Sequence, residues 1–240
     1  PTNTSYKVEQ HINGWVRLSI TQTHTSGDVY LIGGGSDAAI PTYNVQKEPI
    51  YTGNASNGFY AWGAQIEAGS YATSYIPTSG STVTRNQDQF SRDGIGSLIN
   101  SEEGVLFVEM AALSDDSTNR MLSLYSSGSD KLTLFYKTAS NSMTVQGFVG
   151  GGLQINRTIV LTDVTEFSKI AIRYKTNDFA WYVDGIKITD DTSTNTWSAD
   201  TLNKLSFDDG SGGNPLFAKV KQLQVYKTAL TDTQLAALTS

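Results

Sequence analysis

Between residues 104 and 228 apolar and polar residues alternate in short bursts, and most bursts close on Gly, Asn or Asp. GVLFVEMAAL (104–113), RMLSLYSS (120–127), KLTLFYKT (131–138) and SMTVQGFV (142–149) come first. NRTIVL (156–161), SKIAIRYKT (168–176), DFAWYVDGIKIT (178–189), NKLSFDDG (203–210) and LFAKVKQLQVYKT (216–228) follow. A side-chain period of two marks a strand, and many short strands at near-regular spacing predict an antiparallel β-sandwich. Thr176–Asp178 and Asp184-Gly185 read as hairpin turns, because Asn and Gly accept the positive φ that tight turns demand. The glycine runs at 32–35 and 150–152 read as hairpin turns too, since no strand-to-helix step surrounds them. Low charge, 17% of the chain, together with 22 glycines, suits strands and turns better than helices.

The first third is more broken. Residues 6–10 are extended. GWVRLSITQT (14–23) alternates Leu18 and Ile20 against Arg17, Ser19 and Thr21, the pattern of a half-buried strand. DVYLIGGG (28–35) predicts another strand, and Pro41 and Pro49 punctuate a loop-rich middle. FYAWGAQIEA (59–68) predicts a strand that puts Tyr60, Trp62 and Ala64 on one face, ended by Pro77. A Ser/Thr/Gly-rich stretch then predicts a linker at 81–87 between a segment of residues 1–80 and a domain of residues 88–240. One helix is expected, at the end. Thr231 is its N-cap, Gln234 completes a capping box, and Leu235 and Leu238 form its apolar side.

Charge and composition exclude several functions. A net charge of −6 lacks the basic face that nucleic acids require. With no cysteine, thiol catalysis and Cys-based metal sites are excluded, and the chain suits synthesis in a reducing cytosol and use outside it. No apolar run is long enough to cross a bilayer as a helix. The chain opens at Pro1, without Met and already in strand pattern, as a piece of a longer protein would. His11 and His24 are the only histidines, and no nucleophile elbow, zinc-protease helix or phosphate loop is present. Glycoside hydrolysis needs two facing carboxylates. Glu102 and Glu103 sit at a turn, which leaves Glu109 as the one strand carboxylate to test. Sequons occur at Asn3, Asn54 and Asn156.

Two resemblances add to this reading. SKIAIRYKTNDFAWYVDGIKI (168–188), through Ala171, Tyr174, Tyr182, Val183, Asp184 and Gly185, resembles a hairpin of laminin-G-like, concanavalin-type sandwiches. VKQLQVYKTALTDTQLAAL (220–238) resembles the last strand and terminal helix of the same fold. The opening third is similar to a motif of bacterial-virus tail and fibre proteins. The matches are Gly14 to Arg17, Tyr51-Thr52-Gly53, Trp62 to Gln65, Glu67 to Ser70, Ala72 to Thr78 and Val83 to Arg85. Such segments form the later part of a jelly-roll resembling carbohydrate-binding modules.

Together these imply an all-β chain: a partial jelly-roll, then a laminin-G-like antiparallel sandwich with a short C-terminal helix. They imply a non-enzymatic fibre or surface protein of a virion that attaches to host cell-surface glycans, contacts other virion proteins and forms homo-oligomers, trimers by analogy. A structural decoration protein and a polysaccharide depolymerase are the alternatives. Laminin-G-like domains often hold calcium at a loop rim. The oxygen-rich loops LSDDSTN and SFDDGSGGN nominate Asp115, Asp116, Asp208 and Asp209 as ligands. For glycan stacking, Trp197 in the polar loop TSTNTWSAD is the leading ring, with Asn195 beside it and Tyr125 and Tyr136 on strands. Trp15, Trp62 and Trp181 lie in strand pattern and are expected in the core.

Overall fold

The structure, a computed structural model, describes residues 4–23, 42–45, 49–50, 56, 58–86 and 88–240. The expected strand at 28–35, His24, Pro41, the Tyr51-Thr52-Gly53 match and the sequons at Asn3 and Asn54 lie outside them. The chain divides into two units, Pro1–Thr84 and Arg85–Ser240.

In the first unit β1 (Thr4–Gln10) and β2 (Val16–Gln22) form an antiparallel hairpin, and β3 (Thr42–Tyr43) pairs with β4 (Pro49–Ile50). Alternation in β2 is as the sequence predicts, but the covered face is the opposite one. Arg17, Ser19 and Thr21 are half-buried, while Val16, Leu18 and Ile20 are exposed, as are Tyr6 and Val8 across the hairpin. A two-stranded ribbon covers neither of its own faces, so alternation identifies the apolar side without supplying a layer to bury it. The expected strand at 59–68 is not a strand. Side chains stitch this segment to the one that follows. Glu67 accepts from the Thr73 amide (2.7 Å) and hydroxyl (2.6 Å), and the Ile76 amide donates to Gln65 Oε1 (2.9 Å). Arg17 Nη2 donates to the Thr73 carbonyl. Trp62 leans on Tyr75, with centroids 4.7 Å apart, yet stays 75% exposed, and Tyr60 is 92% exposed. Neither closes a core, and Trp15 is exposed as well.

The second unit is a two-sheet sandwich. Its strands are β5 (Ser91–Arg92), β6 (Glu103–Ala112), β7 (Arg120–Ser127), β8 (Asp130–Tyr136), β9 (Ser142–Val149) and β10 (Gly152–Val160). β11 (Ser168–Lys175), β12 (Phe179–Val183), β13 (Ile186–Asp191), β14 (Lys204–Ser206) and β15 (Ala218–Tyr226) follow. One sheet runs β10-β9-β8-β7-β14-β5 and the other β13-β12-β11-β6-β15, and every named pairing is antiparallel. The period-two pattern aims Leu122, Leu124, Leu132, Leu134, Met143 and Val145 from the first sheet at the core. Leu106, Val108, Met110, Ile170, Ile172 and Trp181 answer from the second. Along one border Arg157 of β10 reaches Asp191 of β13 at 2.6 Å, an ion pair that ties the two sheets together.

The helix α1 (Asp232–Thr239) forms where expected. The Thr231 hydroxyl accepts from the Gln234 amide, and the Thr231 amide donates back to Gln234 Oε1, which completes the capping box. It covers the outer face of the five-stranded sheet, where Leu235 packs with Val105, Phe107, Ala171, Ala180 and Tyr182. This explains why β6 reads as almost continuously apolar: one face meets the opposite sheet and the other meets the helix. Arg173, on the same outer face, donates to the Leu230 carbonyl (2.9 Å) and Asp232 (2.8 Å) and pairs with Asp178 (2.6 Å). The Asp184-Gly185 turn has φ of +48° and +79°, the left-handed pair that a two-residue hairpin uses.

Candidate functional site

The helix occupies the outer face of one sheet, and the outer face of the six-stranded sheet is open only in part, because Ser123, Thr133, Phe135, Thr144 and Ser206 on that face are buried. Its side chains are those out of phase with the core, and strand register lines them up in rows across the sheet. One row runs Leu153, Phe148, Lys131, Tyr125, Lys204 on β10, β9, β8, β7 and β14. Lys131 Nζ stands 5.6 Å from the Phe148 ring centroid and Lys204 Nζ 5.9 Å from that of Tyr125, so aromatic rings and ammonium groups alternate. The neighbouring row runs Asn156, Gln146, Thr133, Ser123, Ser206. These are neutral hydrogen-bonding groups, of which Asn156 is exposed and Gln146 half-buried, while Thr133, Ser123 and Ser206 are buried. Gln146 Nε2 donates to Asn156 Oδ1 (3.3 Å), the Ser123 hydroxyl donates to the Asp208 carbonyl (2.7 Å), and Ser206 donates to Asp208 Oδ1 (2.6 Å).

Those last two bonds bring the loop at 206–214 over the β14 end of the face. Gly210 has φ +87° and lies so close to Tyr125 that a Cβ there would sit 3.0 Å from the ring. At the other end Asn195 donates from both its amide groups to Gln154 Oε1 (3.3 Å each), beside Leu153. A cleft of about 380 Å3 lined by Asn100, Glu102, Glu103, Lys175 and Thr176 is a poorer candidate. No aromatic ring lines it, and its lysine is already paired with Glu103 at 2.9 Å.

A family model described as the concanavalin A-like lectin/glucanases superfamily matches residues 104–236, more than half of the chain. The chain belongs to that superfamily. Among solved structures, this concanavalin A-like sandwich is similar to the CBM40 module of the Ruminococcus gnavus IT-sialidase bound to alpha2,3 sialyllactose. Identity is 16% and the TM-score 0.49, covering 60% of this chain and 86% of that one. It is also similar to domain 4 of a GH43 extracellular arabinanase from Geobacillus stearothermophilus in complex with arabinotriose (12%, 0.49, 60% and 69%). A third likeness is to the native heptameric SAP-like pentraxin of Limulus polyphemus (10%, 0.47, 59% and 71%). No curated protein sequence matches the chain.

Within the concanavalin A-like sandwich the nominated residues separate. Trp197 is not a rim aromatic. It is 2% exposed, its Nε1 donates to the Phe148 carbonyl (2.7 Å), and its ring meets Tyr174 edge-on at 5.8 Å. Its loop turns inward, because an indole that finds an acceptor can be buried without leaving its N–H unsatisfied. Tyr136 is also buried, and burial pushes its hydroxyl pKa up. Neither offers a face to a sugar. Tyr125 is half-buried on the row of rings and ammonium groups, and Asn195 is exposed at the row's far end. Phe148, Lys131, Lys204 and Gln146 are members of the candidate face that the sequence reading did not name. The signal was present: in KLTLFYKT, SMTVQGFV and NKLSFDDG they occupy the phase opposite the core residues.

The calcium candidates do not make a cation shell. Asp115 accepts from the Ser140 hydroxyl and the Asn141 amide, and Asp116 pairs with Arg120 at 2.6 Å. Asp208 Oδ1 accepts from Ser206 and the Gly210 amide. Asp209 takes the amide and hydroxyl of Ser211, the amide of Gly213 and the side chain of Asn214. Burial works against the Asp209 charge, but these donors prevail and lower its pKa. Donors, not further oxygens, converge on the carboxylates, which is the wrong chemistry for Ca²⁺. Among the described residues no three of His, Cys, Asp and Glu gather as a metal site.

Glu109 lies on the helix-bearing outer face, in phase with Val105 and Phe107, not in the inter-sheet core. Lys221 holds it at 2.8 Å and Gln222 at 3.1 Å, and the Lys221 bond lowers its pKa.

Proposed function

We propose that the chain is a non-enzymatic glycan-binding module whose ligand lies along the outer face of the six-stranded sheet. The row Phe148–Lys131–Tyr125–Lys204 beside Gln146 and the exposed Asn156 carries the proposal. Aromatic faces take the C–H side of a sugar ring, and the adjoining side-chain amides bond its hydroxyls. Membership of a lectin and glucanase superfamily supports the class of ligand. The ion pair of Glu109 weighs against the depolymerase alternative, because a carboxyl held ionised by a lysine is a poor proton donor. We place the module on the surface of a bacterial-virus particle, in contact with other virion proteins and with host glycans. That assignment rests on the sequence likeness of the opening third to tail and fibre proteins.

A glycan array probed with the 240-residue chain tests the reading. Specific binding that falls about tenfold or more in Tyr125→Ala and Gln146→Ala supports it. A folded chain that binds no glycan sinks it. A second role has its own observation: the outward apolar face of the β1–β2 hairpin, Tyr6, Val8, Leu18 and Ile20, favours assembly with other chains. Light scattering on the purified chain would report a monomer if this second role is wrong.

A further inference from the structure

We propose that the glycan is acidic, a polysaccharide bearing carboxylate or sulfate groups. The inference rests on the glycan-binding reading and deepens it. The molecule as a whole is negative, with 23 acidic against 17 basic residues, yet the central row of this face has two lysines and no carboxylate. Lys131 sits between Phe148 and Tyr125 on the neighbouring strands. Among the ion pairs of the described residues it has none, and its one charge contact is the Phe148 ring. Lys204 has a carboxylate, Asp93, only at the limit of pairing, 4.0 Å, and otherwise faces the Tyr125 ring.

The carboxylates that border the face are already engaged. Asp130 accepts from the Gly150 amide (2.8 Å), and Asp208 and Asp209 accept from their own loop. They hold backbone shape and leave the ammonium groups to a ligand. The two lysines stand two strands apart, about 10 Å by ordinary strand spacing. A single small anion does not bridge that distance, whereas a polymer with acid groups on successive or alternate sugars meets both. Asn156 and Gln146, beside the lysine row, then serve the hydroxyls between the charges.

The test compares binding of the 240-residue chain to alginate (carboxylate) and dextran sulfate (sulfate) with binding to the neutral glucans dextran and pullulan. Binding is followed by calorimetry at low and high salt. The expected result is binding to at least one acidic polymer about tenfold tighter than to the neutral ones, weakening as salt rises. Lys131→Gln and Lys204→Gln each lower that affinity about tenfold, Lys131→Arg restores most of it, and Lys221→Gln on the opposite sheet changes nothing. Neutral polymers bound as tightly as acidic ones, with the Lys→Gln variants unaffected, would overturn the acidic class and leave the glycan reading standing. A Lys221→Gln loss equal to that of Lys131→Gln would overturn it as well, by showing attraction to charge at large. Binding to neither kind of polymer, nor to any glycan of the array, would remove the glycan reading and this inference together.

Discussion

Trp197 closes one end of the sandwich with a single ring that packs on Tyr174 and bonds the Phe148 carbonyl. Removing it is therefore a stability event. Trp197→Ala is expected to cost about 3–5 kcal/mol in urea denaturation, the usual range for a large buried aromatic. Trp197→Phe keeps most of the packing and loses the hydrogen bond, which leaves a buried carbonyl one partner short at a cost of about 1–3 kcal/mol. Glycan affinity of the folded Trp197→Phe protein is expected to match the parent, and a large loss would return Trp197 to the binding surface. Gly104 is a second sharp point, because a Cβ there would lie 2.5 Å from both Tyr174 Oη and the Tyr226 carbonyl. Gly104→Ala should give little folded protein in a soluble-expression assay. At this scale the sequence was least legible. Trp62 sits in strand pattern and is exposed, while Trp197 sits in a polar loop and is buried. Local pattern reports which residues share a face. Whether that face meets another layer is decided by residues far along the chain.

Among the elements the helix and its sheet face make the clearest case. Val105, Phe107, Ala171, Ala180 and Tyr182 would be open to water without α1. Thr231→Ala is expected to cost about 1 kcal/mol by loss of the cap, read as a shift in the denaturation midpoint. The helix should also loosen in acid. Lys187 bonds Asp232 and lowers its pKa against the opposing effect of burial, and Arg173 assists. A carboxyl depressed in the folded state stabilises above its unfolded pKa, about 3.9, and that contribution is lost as pH falls through the folded value. Stability should decline more steeply below about pH 4 in the parent than in Asp232→Asn, which lacks the group. Equal acid profiles would discount the bond. Strand positions in the second unit, by contrast, were largely legible: its period-two runs, the Asp184-Gly185 turn and the capping box fall where the sequence puts them. Register was not, because two long strands can slide by two residues without disturbing their alternation. The binding rows exist only once register is fixed.

For the whole molecule, the division into Pro1–Thr84 and Arg85–Ser240 carries a prediction. The second unit holds the inter-sheet core and the helix-covered cluster, so a fragment of residues 85–240 should melt in one cooperative transition. A broad, non-cooperative melt would mean that it depends on the first unit. Because loop donors saturate the nominated aspartates, EDTA should leave the Tm of the whole chain unchanged. A drop of several degrees that calcium restores would refute that chemistry.

Asp209 gathers the 209–214 turn on one carboxylate: two donors from Ser211, one from Gly213 and one from Asn214. The turn is also pinned to the sheet beneath, by the Ser123 hydroxyl on the Asp208 carbonyl and the Met121 amide on the Asn214 carbonyl. Gly210 and Gly213 leave no room for a Cβ, whereas Ser211 is exposed. In a population under selection for new targets, change at this corner falls first on Ser211, while its glycines and the sandwich stay constant.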